Sequence, residues 1–175
     1  MTRRRTLIVR ALSAGATRGS VEFGALRFSC ALGRSGRRVR KREGDGATPV
    51  GRFVMQRVLY RPDRCQRPRT GLETHPLRPM DGWCDCPRDR NYNRPVRLPY
   101  PASAEAMWRA DGLYDLVVVL DHNSRPRVKG LGSAIFLHVA APELAPTEGC
   151  VALRRVDLAR LLAQLSRGGP VWIRA

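Results

Sequence analysis

The residues best suited to chemistry lie in one short stretch, 133–153. It runs Ser-Ala-Ile-Phe-Leu-His-Val, then Ala-Ala-Pro-Glu-Leu-Ala-Pro, then Thr-Glu-Gly-Cys-Val-Ala-Leu. His138 ends an apolar run of strand type, and Cys150 follows a Thr-x-Gly turn. If the two apolar runs form adjacent strands, imidazole and thiol come close together. A free thiol, with pKa about 8.5, is a poor nucleophile until it loses its proton, and a neighbouring imidazole can take that proton. Gly149 lets the chain turn tightly and lets a carbonyl approach, and backbone N–H groups at such a turn can stabilise an oxyanion. The expected chemistry is acyl transfer with Cys150 as nucleophile, His138 as base and Gly149 beside the oxyanion. Taken singly, each residue also fits a plainer role, His138 as a satisfied core histidine and Cys150 as a small buried hydrophobe.

Other groups give weaker patterns. Cys65, His75, Cys84 and Cys86 are the candidates for zinc, but Cys84 and Cys86 flank a single residue. That spacing suits neither a zinc knuckle nor a relaxed disulfide, so no metal or other cofactor is expected. Five cysteines leave at least one thiol unpaired in a monomer. His122 and Asn123, at the end of an apolar run, either orient a substrate or form a turn. Tyr92-Asn93-Arg94 either lines a pocket or lies in a solvated loop.

The elements that must position these residues are mostly strands. Leu7–Leu12 and Val21–Cys30 hold short apolar runs with Gly between them, as in a meander. Arg52–Tyr60 alternates as a strand, Asp115–Asp121 and Ser133–Val139 are continuous apolar runs of buried type, and Val171–Ile173 is a closing strand. Leu158, Leu161, Leu162 and Leu165 mark one helical face over Asp157–Leu165, ended by Gly168-Gly169-Pro170. Ser103–Arg109 reads as a short helix with Ser103 as N-cap. Residues 61–100, rich in Pro, Arg and Asp, read as a long irregular insertion, anchored by Trp83 and Tyr92. With 175 residues and no repeat or linker, the chain is expected to be one mainly β domain over 1–175.

Lys and Arg outnumber Asp and Glu by 32 to 15, for a net charge of +17, and all the cations but Lys41 and Lys129 are Arg. Such a charge favours polyanions. It is spread along the whole chain, not gathered in a stripe or arm, which argues against nucleic acid as the partner. No apolar run reaches the roughly 18 residues of a membrane span. The start Met1-Thr2-Arg3-Arg4-Arg5 resembles the basic region of a signal peptide, but Thr6-Leu7-Ile8-Val9 is cut by Arg10, short of an h-region of about 7–15 residues.

The ordered pieces Gly44-Asp45-Gly46-Ala47-Thr48-Pro49-Val50-Gly51-Arg52-Phe53, His138 and Thr147-Glu148-Gly149-Cys150 resemble the YkuD-type L,D-transpeptidases over roughly residues 20–155. In that family a Gly-x-x-x-Thr-Pro-x-Gly-x-Phe/Tyr segment precedes a strand-borne His and a Ser/Thr-His-Gly-Cys turn. The resemblance implies a mainly β sandwich or barrel with one or two short helices. It implies a thioester between Cys150 and the diamino acid of a peptidoglycan tetrapeptide stem, loss of D-Ala, and transfer to an amine as a 3→3 cross-link. It implies peptidoglycan stems as partner and a place in the cell envelope. The substrate-binding candidates are Thr48, Thr147 and Arg154 in and after the matching segments, with Tyr92 and Asn123 from their own surroundings, and the chain is expected to be a monomer. Glu148 stands where the family has His, and Ala152 where it often has Arg, which turns attention to Arg154 or Arg155 for a substrate carboxylate. The alternatives are an L,D-carboxypeptidase using water, and an inactive basic wall-binding module.

Overall fold

Alternating burial shapes the first strands. In β1 (Leu7–Ala11), Leu7 and Val9 are wholly buried; in β2 (Arg18–Phe23) and β3 (Leu26–Ala31), Val21, Phe23, Phe28 and Cys30 turn to the same core. Gly24, at φ 60, makes the β2–β3 hairpin turn in a conformation that L side chains disfavour. The computed structural model describes residues 5–13 and 15–175. The basic start Met1–Arg4 lies outside the described residues.

These strands belong to a sheet that closes on itself. β14 (Pro170–Ile173) runs parallel to β1, and β6 (Gly51–Tyr60) runs antiparallel to β14. β11 (Leu116–Leu120) is antiparallel to β6, and β12 (Phe136–Val139) is antiparallel to β11. β13 (Val151–Leu153) is parallel to β12 and antiparallel to β3, completing the ring. β7 (Glu73–Pro76) adds to the free part of β6. Two small sheets complete the β structure: β4 (Arg37–Arg38) with β5 (Thr48–Pro49), and β8 (Asp81–Cys84) between β9 (Arg94–Arg97) and β10 (Ala104–Ala106). Among the described residues the one α-helix is α1 (Arg155–Leu162), and Pro142–Leu144 forms a 3-10 turn. The architecture is the mainly β barrel expected.

Two apolar layers flank the part of the wall that matters most. The inner face contributes Val118, Leu137, Val151 and Leu153, packed with Leu158, Leu161 and Leu162 of α1. Each such leucine stabilises the packed state by roughly 1.5–3 kcal/mol relative to exposure. The outer face contributes Val117, Val119, Phe136 and Cys150, covered by Leu77, Trp83, Met107 and Tyr114 from the excursion between β6 and β11. β11 is therefore buried on both sides, which is why its sequence is apolar without alternation.

Several expectations need correction. Residues 61–100 are not wholly irregular: between turns and loops they hold β7, β8 and β9, and they bury Leu72, Leu77 and Cys84 beside the expected anchors Trp83 and Tyr92. Ser103–Arg109 is not a helix. Ala104–Ala106 pairs with Gly82–Cys84, and this cross-strand ladder overrides a weak local helix preference. The strand expected over Ser133–Val139 starts only at Phe136, because Ala134 adopts φ 51. The C-terminal helix begins at Arg155 and ends at Leu162, with Leu165 buried in the turn that follows.

Candidate active site

Parallel pairing of β12 and β13 sets His138 opposite Ala152 and Leu137 opposite Val151. Successive side chains alternate faces. His138 and Cys150 therefore share the outer face, while Leu137 and Val151 point to the barrel core. Both residues line one open cavity of about 440 Å³. The turn before Cys150 is tied from several sides. Thr147 Oγ1 donates to the Cys150 carbonyl at 2.7 Å and accepts the Gly149 N–H at 3.1 Å. Gly149 has φ 135, and a Cβ there would sit 2.8 Å from the Ala47 carbonyl oxygen. Glycine is thus required by close backbone approach as well as by conformation.

The Gly44–Phe53 segment backs directly onto this turn. Thr48 Oγ1 accepts the Gly33 N–H at 2.8 Å and donates to the Cys150 carbonyl at 3.4 Å. Thr48 is wholly buried, so it holds the turn from behind and does not face the cavity. Two motifs distant in sequence are in this way one structural unit.

The thiol is buried and turned toward the start of β12. Sγ donates to the Ala134 carbonyl at 3.2 Å and accepts the Phe136 N–H at 3.3 Å. Burial pushes the thiol up to about 12, helped by the Glu105 charge, against the Phe136 N–H and the Lys41 ammonium. His138 is 5% exposed, with Nδ1 2.8 Å from the Val139 carbonyl oxygen and its ring edge-on to Tyr114 at 5.3 Å. Because a carbonyl only accepts, Nδ1 carries the proton of the neutral ring. Burial lowers the imidazole to about 4, opposed by the Val139 carbonyl. Both groups therefore rest uncharged near neutrality.

Charged groups surround them. The Tyr114 hydroxyl donates to Glu105 Oε1 at 2.6 Å, and Arg109 reaches the same carboxylate at 3.5 Å. Burial holds the Glu105 carboxyl above its ordinary value. Burial, then the charges of Cys150 and Glu105, pushes Tyr114 well above the usual phenol range. Glu43, Asp85, Glu105 and Glu148 bring carboxylates to the cavity, against Lys41 and Arg109. Glu148 is largely exposed and pairs with Arg34 at 2.8 Å. Lys41 is buried and paired with Asp45.

Of the substrate-binding candidates, only Thr147 lines the cavity. Tyr92 is buried beside it and donates to Glu43. Asn123 clamps its own loop, with Nδ2 donating to Val128 O at 2.8 Å and Gly132 O at 2.9 Å. His122 Nε2 lies 3.0 Å from the Leu131 carbonyl oxygen in that same loop. Arg154 is exposed at the start of α1, in a separate depression with Arg27 and Arg160, and Arg155 pairs with Asp115. Asn93 is the unforeseen positioning group. Its Oδ1 accepts Trp83 Nε1 at 3.0 Å and the Ala134 N–H at 3.1 Å, while Nδ2 donates to the carbonyls of His122 and Asn123. Glu105, Arg109 and Tyr114 gave no periodic signal, because tertiary pairing alone brings them here. Among the described residues no group of three or more His, Cys, Asp or Glu could hold a metal ion. No helix there is long and apolar enough to cross a membrane.

Residues 15–173 match the family model of the YkuD L,D-transpeptidase catalytic domain, and the chain belongs to that family. No curated protein matches it. Among solved structures, Bd1075 of Bdellovibrio bacteriovorus is similar at 15% identity and a TM-score of 0.52, over 97% of this chain and 47% of that one. An L,D-transpeptidase from Mycobacterium smegmatis gives 13%, 0.45, and 98% against 59%. One from Mycobacterium tuberculosis H37Rv gives 14%, 0.46, and 98% against 58%. The chain thus spans about half the length of the structures it matches.

Proposed function

We propose that this chain forms a thioester at Cys150 with a peptidoglycan tetrapeptide stem and passes the acyl group to an amine, making 3→3 cross-links. The observation that carries this reading is the placement of Cys150 and His138 on one strand face, lining one cavity. Since both rest neutral, the thiol proton moves to the imidazole as sulfur attacks the carbonyl of the stem's diamino acid, and no ion pair forms beforehand. The C–N bond to D-Ala breaks, and the imidazolium returns the proton to the departing amine. The acceptor amine then attacks the thioester, the C–S bond breaks, and the sulfur regains a proton through His138. Gly149 sits beside the developing oxyanion, although its own N–H is engaged by Thr147.

The carboxylates of Glu43, Asp85 and Glu105 favour the ammonium of a diamino acid side chain, and Lys41 and Arg109 offer cations to stem carboxylates. The cavity lies between the barrel wall and the excursion, whose side chains share a core with β11 and β12, which supports one catalytic domain over 1–175. Such a substrate favours an envelope location, and the net charge of +17 suits an anionic wall. Whole-protein mass spectrometry after incubation with a carbapenem tests the acyl-enzyme, with an adduct on Cys150 expected. Muropeptide analysis then reads the acceptor: cross-linked dimers support the proposal, and free tripeptide alone reassigns the chain as an L,D-carboxypeptidase. An unmodified Cys150 with no product in either assay leaves only the inactive wall-binding reading.

A further inference from the structure

Beside the excursion, apart from the cavity of Cys150, lies another cavity, of about 240 Å³, rich in arginine. Arg57, Arg94, Arg125 and Arg127 surround it, with Gln56 and Ser124 beside them, and no Asp or Glu contributes. Around the other cavity the guanidinium groups are paired: Arg109 with Asp111 and Arg34 with Glu148. Among the described residues none of the four cavity arginines forms an ion pair, and Arg127 Nε is buried without a hydrogen-bond partner. Arg57 only stacks over Trp83, at 5.9 Å. Burial, then the charges of Arg94 and Arg125, lowers the Arg127 guanidinium. Cations drawn together with no counter-charge, one of them with an unmet buried donor, suit an anionic ligand.

We propose that this cavity binds a phosphate group. A carboxylate neutralises one cation, whereas a phosphate brings up to two negative charges and enough oxygens for several guanidinium forks. Ser124 and Gln56 add neutral donors for a remaining oxygen. The Asn93 amide, also in the lining, is committed to the His122 and Asn123 carbonyls and leaves the anion to the arginines. The site is separate from the cavity of Cys150 and does not depend on the function proposed for it.

Calorimetric titration with inorganic phosphate, at ionic strength held constant with chloride, tests the proposal. The expected result is saturable binding with one site per chain, weakened about tenfold or more in Arg125→Gln and in Arg127→Gln. Arg167→Gln, which removes the same charge from an exposed turn after α1, leaves it unchanged. Arg125 is exposed, so its replacement spares the core, and circular dichroism confirms the fold of each variant. A parallel arm replaces phosphate with vesicles of phosphatidylglycerol or of phosphatidylcholine. Arg125-dependent binding to phosphatidylglycerol alone identifies a lipid headgroup as the source, and its absence beside phosphate binding identifies a soluble phosphate. Equal loss in Arg167→Gln, equal binding of acetate, or no saturable binding of phosphate or phosphatidylglycerol overturns the assignment.

Discussion

The Cys150 thiol donates a hydrogen bond to the Ala134 carbonyl at 3.2 Å. That contact aims sulfur along the outer face of β12, and Asn93 fixes the same peptide segment by accepting the Ala134 N–H. The nucleophile candidate is therefore held from its own turn, through Thr147 and Thr48, and from the excursion, through Asn93.

Replacing Cys150 with Ala should abolish both the carbapenem adduct and turnover, while Cys84→Ala retains the chemistry. Cys84 is buried within the excursion and does not line the cavity of Cys150. Intact mass and muropeptide turnover of the two variants check this. Residual turnover by the Cys150→Ala protein would sink the assignment.

His138→Ala should lower kcat/KM by roughly 10²–10⁴-fold with the fold retained. His122→Ala should cost far less, because its ring nitrogen faces the Leu131 carbonyl in a neighbouring loop. An equal loss in the two variants, with unchanged circular dichroism, moves the base to His122.

Stability should fall with acid in a defined window. His138 is held down to about 4 by burial, against an ordinary value of 6.5. Between these values the unfolded chain takes up a proton that the folded chain refuses. Stability is thus complete above about 6.5, and drops by up to roughly 3 kcal/mol as pH approaches 4. Urea unfolding at pH 7 and pH 4 should show a smaller difference in His138→Gln than in the parent. The same difference in both proteins contradicts a neutral buried imidazole.

The resting thiol should be sluggish toward simple alkylating agents. At about 12, Cys150 is ionised on the order of one part in 10⁴ at pH 8. Iodoacetamide mapping should find the more exposed Cys86 modified well before Cys150. Preferential modification of Cys150 in the free protein would instead indicate a preformed thiolate.

Asn93→Ala leaves the Trp83 and Ala134 N–H groups without their acceptor and should destabilise by about 1–3 kcal/mol. Asn93→Asp keeps an acceptor oxygen but sets a second oxygen against the His122 and Asn123 carbonyls in a buried place, so it should not restore the stability. Denaturation of both variants, read beside the rate of carbapenem adduct formation, separates a positioning role from a merely local one. Lost stability with slowed acylation in both variants is the expected pattern, and acylation at the parent rate in Asn93→Ala contradicts a positioning role.

How far the sequence foretold this depends on distance along the chain. The turn Thr147–Cys150 and the segment Gly44–Phe53 announced themselves, because glycine and proline act locally, the bonds at Thr48 need its hydroxyl, and the approach of the Ala47 carbonyl needs glycine at 149. β11 and the leucine face of α1 were visible for the same local reason. Residues such as Glu105, Arg109 and Tyr114 were not, since they reach the cavity only after β10 pairs with β8 and the excursion folds back on the barrel. Thr48, Asn123 and Arg154 are expected as ligand contacts from the sequence but do not line the cavity. Their partners are backbone groups, a loop and a distant surface, which no spacing rule reveals.

The excursion leaves the barrel after Tyr60 and returns at Leu116, and those two residues are directly paired neighbours on β6 and β11. Both ends of everything between them therefore meet at a single graft point. The barrel sees a hairpin whose loop has been lengthened, and its closure takes no account of how long that loop is. His138, on β12, and Cys150, at the entry to β13, lie outside the loop, yet the groups that roof them, Asp85, Glu105, Arg109 and Tyr114, belong to it. The molecule thus divides into a wall that holds the thiol and an excursion that roofs it. A change within 61–115 alters the groups that face Cys150 without breaking the closure of the ring, provided that Val117 and Val119 stay sheltered.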